Sequence, residues 1–146
     1  MANPLTRLAG FNLGTAYLRA RRLFKKRMAA LELSPLEYFI LALLGGKSMH
    51  QARISAVLDI PLQNLTVLME RMEARDLVLR VRSQSDRRAQ VVRLSAPGAR
   101  LLRRGRKIML VLEREILHPL SASERKIFRQ LLEKLAGAHE PKKEAL

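Results

Sequence analysis

The residues best suited to recognition chemistry are Gln63, Asn64 and Thr66, which with Val67 fall on the outward side of a short segment, residues 62–75. Side-chain amides pair well with adenine and a threonine methyl with that of thymine, so this set is suited to reading base edges in a major groove. Arg71 lies further along the same side, where a guanidinium meets phosphate more readily than base. Downstream, Arg80, Arg82, Asp86, Arg87 and Arg88 make a cationic ribbon. Its arginines would neutralise phosphates whatever the sequence, releasing about one counterion for each. An arginine at the tip would also suit a narrow, electronegative minor groove.

Such residues act only if the chain holds them on one surface. Leu65, Leu68, Met69 and Met72 follow the i, i+3, i+4, i+7 period of a helix over 62–75 and turn the polar set outward. A preceding helix is expected over Met49 to Leu58 with Ala52, Ile54, Val57 and Leu58 inward, broken from the next by Asp59-Ile60-Pro61. Ser34-Pro35-Leu36-Glu37 is a capping box opening a helix to about Leu44, stopped by Gly45-Gly46. After Asp76 the period changes to two, with strands at Leu77 to Arg82 and Gln90 to Leu94 joined by a polar turn. The class is therefore mainly α with a small two- or three-stranded β-wing: a winged helix-turn-helix lobe at 33–98.

More apolar stripe flanks that lobe than it needs. Thr6 is placed to cap a first helix to about Leu31, with Tyr17, Ala20, Phe24, Met28 and Leu31 on one side. Its other side, Arg19, Arg21, Arg22, Lys25, Lys26 and Arg27, is a solvated face, a phosphate contact or the rim of an anion pocket. Ser95 and Pro97 open a long helix to about Leu117. After His118-Pro119, Ser121-Ala122-Ser123-Glu124 opens a last one carrying Ile127, Phe128, Leu131, Leu132 and Leu135 and ending at Gly137. The surplus marks residues 1–32 as an N-terminal dimerisation helix and 99–146 as C-terminal dimerisation helices with a tail. A two-fold pair would set its reading helices about one DNA turn apart, on a pseudopalindromic operator.

Charge points to the same partner. Against 13 acidic residues the 146-residue chain carries 28 Lys and Arg, a net +15, which favours a polyanion. Between Arg80 and Lys107 ten basic residues face one acid, so the excess is concentrated. Zero cysteines exclude disulfides and thiolate metal sites and fit a cytoplasmic location. His50, His118 and His139 have no metal-ligand spacing, so neither metal nor cofactor is expected. Enzyme chemistry would need a nucleophile with its base, paired carboxylates or a phosphate-cradling glycine loop, and none is present. A sequence-tolerant architectural DNA-binding protein, or a helical module for a protein or membrane surface, shares the basic balance.

The stretch Asp86-Arg87-Arg88-Ala89-Gln90-Val91-Val92-Arg93-Leu94-Ser95-Ala96-Pro97-Gly98 resembles the wing signature of the MarR family, D-x-R-x-x-x-[LV]-x-L-[ST]-x-x-G. Met69 to Arg80 resembles that family's reading helix and its exit. Two positions depart from the pattern: Asp76 stands where glycine is usual, requiring a left-handed or capping conformation, and Met72 replaces leucine. The resemblance implies a homodimeric transcriptional regulator, usually a repressor, released from its operator by a small aromatic or anionic ligand. It also implies that Asp86 orients Arg88 through charge-assisted hydrogen bonds. Tyr17, Phe24, Tyr38 and Phe39, with the basic residues of the first helix, are the candidates for a ligand pocket, or else plain core.

Overall fold

The computed structural model describes residues 3–82 and 90–137. At its start the Asn3 side chain accepts from Leu5 N–H and opens one 3₁₀ turn, Pro4–Arg7. Thr6 therefore does not cap the first long helix: its hydroxyl donates to Asn3 O, and α1 runs Ala9–Met28 without a side-chain cap. A second 3₁₀ turn, Ala29–Leu31, ends at Glu32, which takes a left-handed conformation at φ 51°.

Helix α2, Pro35–Leu43, begins on the expected capping box, with Ser34 Oγ accepting from Glu37 N–H and the Glu37 carboxylate accepting from Ser34 N–H. Where the next helix was expected to begin, Met49–His50 instead forms a short strand, β1, and α3 covers Gln51–Leu58. The later start changes which side is buried: Gln51 and Ile54 lie inside, whereas Ala52 and Val57, both expected inward, are exposed. Asp59 at φ 51° turns the chain into α4, Leu62–Ala74. Strands β2, Val78–Arg82, and β3, Gln90–Leu94, follow, then α5, Ala96–Ile116, and α6, Ala122–Gly137.

The three strands form one antiparallel sheet in the order β1-β3-β2. Met49 pairs with Val92, and Arg80 stands opposite Val92 on the other side, so β3 is the central strand. A single core runs through the molecule. Ile40, Leu41, Leu44, Ile54, Leu65, Met69, Met72, Val78 and Val92 fill it under the sheet, and Phe24, Met28, Leu102 and Leu112 continue it between α1, α2 and α5. The first and last segments thus share the winged lobe's core where they touch it. Elsewhere they do not: Leu8, Phe11, Leu13, Tyr17 and Leu18 of the N-terminal segment are exposed, as are Ile127, Leu131 and Leu135 of α6, which buries none of its residues.

Candidate nucleic-acid interface

Helix α4 is held at both ends. Its entry follows the Asp59 turn, where Ser55 Oγ donates to Ile60 O at 2.6 Å. At its exit Leu77 N–H bonds Met72 O and Asp76 N–H bonds Glu73 O, both at 2.9 Å, the paired bonds of a left-handed helix stop. Asp76 has φ 53°, the conformation expected of it where glycine is usual. Arg75 then ties this end across to α2, with Nη1 2.8 Å from Glu37 Oε1 and Nη2 donating to Glu32 O. Glu37 is buried, so removing Arg75 would strand a carboxylate inside the protein.

A helix fixed in this way presents Gln63, Asn64, Glu70 and Arg71 to solvent, and Val67 is 58% exposed between them. Thr66 is placed differently from its neighbours. Its hydroxyl donates to Leu62 O at 2.9 Å and accepts from Gln51 Nε2 at 2.7 Å, which leaves the methyl as its free part. Gln51 is the residue sequence reasoning missed here. Counted as the residue before an apolar side, it is instead buried beneath α4, and its Oε1 has no hydrogen-bond partner.

The cations of the ribbon divide. Arg82 is exposed at the end of β2, but Arg80, expected to meet phosphate, is committed inside the protein, its Nη2 2.6 Å from Glu73 Oε2 on α4. Strand alternation puts Arg93, opposite Leu79, on the other face of the sheet from Arg80 and Arg82. Asp86, Arg87 and Arg88 lie outside the described residues.

The base of the wing is locked to α5. Ser95 caps α5 by accepting from Gly98 N–H at 2.9 Å, while its hydroxyl donates to Asp76 O and its N–H donates to Leu77 O. Gly98 packs so closely that a Cβ there would lie 1.9 Å from Leu77 O. The motif residues Ser95 and Gly98 thus join the exit of α4, the foot of the sheet and the start of α5 in one knot. Their spacing shows in the sequence; their partner, the Asp76-Leu77 backbone, does not.

Of the four pocket candidates, Tyr17, Phe24 and Phe39 border one cavity of about 220 Å³, together with Ala20, Arg21, Met109 and Leu112. Tyr38 does not line it. Its ring packs edge-on against Phe24 and beside Gly105, in the core, and burial raises its phenol pKa while nearby Arg106 opposes the shift. Among the described residues no acid and histidine cluster could hold a metal, and no helix is long and apolar enough to cross a membrane.

An outward polar helix, a preceding short helix at a tight break and a hairpin wing define the DNA-binding class of winged helix-turn-helix proteins. Comparison with known proteins narrows this. The MarR family model matches residues 31–89. A transcriptional repressor, CouR, bound to a 23-mer DNA duplex, superposes with TM-score 0.88 at 28% identity over 93% of this chain and 97% of that one. A probable transcriptional regulator from Pseudomonas aeruginosa gives 0.84 at 28% identity, over 90% and 98%. BpsR of Bordetella bronchiseptica, solved for its regulation by 6-hydroxynicotinic acid, gives 0.85 at 20% identity over 93% and 98% and shares the fold. No curated protein matches the chain. Over its central lobe the chain belongs to the MarR family, and it keeps the fold of such regulators along its whole described length. It is a DNA-binding transcriptional regulator, in a family of regulators and not enzymes.

Proposed function

We propose that the protein is a homodimeric repressor that grips a pseudopalindromic operator and lets go when a small aromatic or anionic molecule binds. The observation that carries this is the outward face of α4: Gln63, Asn64 and Val67 are exposed on a helix whose ends are both fastened. The amides read base edges, the Val67 side chain and the Thr66 methyl meet thymine methyls, and Arg71 and Arg82 meet phosphates. Arg88, oriented by Asp86, and Arg87 complete the contact from the wing, on the strength of the sequence motif. Arg80 serves by bracing β2 against α4.

Pairing uses the segments 1–32 and 99–146 around the reading lobe 33–98. The second copy covers the apolar residues left open on the N-terminal segment and α6, since several large side chains in one region are more than an isolated subunit ordinarily exposes. The 28% identical repressor CouR was solved on a DNA duplex, which supports the duplex partner and the sign of regulation. The cavity at Tyr17, Phe24 and Phe39 lies beside the α1–α5 junction and supports ligand release.

Selection of binding sites from random duplexes tests the reading. A consensus with two-fold symmetry and half-sites about one helical turn apart is expected. Near-equal affinity for all duplexes would replace the regulator with the sequence-tolerant architectural protein, and an asymmetric consensus would remove the dimer.

A further inference from the structure

Two cavities meet at Arg21 and Pro35, and their walls have opposite chemistry. The first is the apolar one at Tyr17, Phe24 and Phe39. About 150 Å³ of such space accepts benzene, so 220 Å³ holds an aryl or short branched acyl group. The second, about 460 Å³, runs from Arg21 and Lys25 on α1, past the start of α2, to Arg71 and Arg75 on α4. Glu32 and Glu37 are its acids. Glu37 is already paired with Arg75, whereas Arg21, Lys25 and Arg71 hold no carboxylate among the described residues. The groove is therefore cationic, and gathered like charges cost repulsion that an anion relieves.

Resting on the ligand-released reading above, we propose that the effector is a two-part molecule: an apolar group seated in the Tyr17–Phe39 cavity, joined to a phosphorylated headgroup lying on Arg21, Lys25 and Arg71. Acyl or aryl thioesters of a nucleotide carrier, prenyl diphosphates and phospholipids share that chemistry. Arg71 belongs to both the groove and the outward face of α4, so effector phosphate and DNA phosphate compete for one guanidinium. The coupling is reciprocal: a ligand that loosens DNA binds less well to the DNA complex, by the same factor.

Calorimetry on the full chain without DNA tests this with benzoate, inorganic pyrophosphate, benzoyl coenzyme A, geranyl diphosphate and phosphatidic acid vesicles. One of the last three is expected to bind at least about a hundredfold more tightly than benzoate or pyrophosphate, and which one does so identifies the source. Lys25→Gln removes a groove cation and should weaken that probe about tenfold, the worth of one charge-assisted hydrogen bond. Ala20→Leu narrows the apolar cavity and should weaken it similarly. Benzoate or pyrophosphate binding as tightly as any joined probe would overturn the two-part ligand, as would full affinity in Lys25→Gln. Operator binding measured with no probe present judges the regulator reading separately, so either can fail alone.

Discussion

Thr66 offers the sharpest contrast between holding a helix and reading DNA, because its two branches do different work. Its hydroxyl is engaged on both sides, by Leu62 O and Gln51 Nε2, and only the methyl is free for the groove. Thr66→Val keeps the methyl and removes the acceptor. Gln51 is 7% exposed and its Oε1 already lacks a partner, so the substitution leaves its whole amide buried and unsatisfied. A stranded buried donor costs about 1–3 kcal/mol. In a chain of this length that lowers Tm by roughly 3–10 °C. Thr66→Ser keeps the hydroxyl and loses one half-buried methyl, worth below about 0.8 kcal/mol. The two variants should rank oppositely on DNA: the valine protein keeps its preference at one operator position, and the serine protein loses it. The Gln51→Met/Thr66→Val pair replaces both partners by apolar groups and should recover most of the lost stability. Thermal melts and competition binding on single-position operator variants are the assays. A Thr66→Val protein as stable as Thr66→Ser, or a double variant whose losses simply add, would refute the reasoning.

Four further outcomes are expected. Arg88→Ala should weaken binding to most duplexes and reduce the slope of log affinity against log salt by about one unit; an unchanged slope removes the wing arginine from the contact. Asn64→Ala should relax preference at one or two operator positions by about 1–3 kcal/mol, and equal losses on every sequence would reassign it to the DNA backbone. Gly98→Ala forces a Cβ against the Leu77 carbonyl and should cost at least about 1–3 kcal/mol, read as a lowered Tm with weakened operator binding; a neutral result would show the knot at Ser95 to be slack. Glu124, whose carboxylate accepts from Ser121 N–H and caps α6, has its pKa held below the usual carboxylate range by its hydrogen bonds to the backbone and side chain of Ser121. Because the folded pKa is the lower one, this support is present above the ordinary glutamate range and lost as pH falls through the folded value, so α6 amide protection should decline there; an ordinary Glu124 titration by NMR would contradict it.

Local signals were the legible ones. The capping boxes at Ser34 and Ser121 and the left-handed Asp76 each depend on residues within a few positions, and all occur where the sequence places them. What failed depended on partners far along the chain. Met49–His50 is a strand only because β3 arrives beside it, and two residues have no period to detect. Starting α3 after that strand altered which side faces inward, exposing Val57 and burying Gln51. Tyr38 and Phe39 were grouped as pocket residues, yet neighbours on a helix point about 100° apart, so one lines the cavity and the other enters the core. Arg80 looked free to meet phosphate because nothing in the sequence shows that Glu73, a helix end away, reaches it first.

The knot at Ser95 gives the molecule a lever. Helix α5 has 21 residues and so extends about 30 Å from that point, and its far end lies toward the open apolar surfaces. Held rigidly at the near end, a tilt of only about 5° pivoting on the distal end would carry the foot of α4 sideways by about 3 Å, close to the spacing of base pairs along a duplex. Small adjustments made far from the nucleic acid would then arrive there enlarged, as a misfit of one whole step.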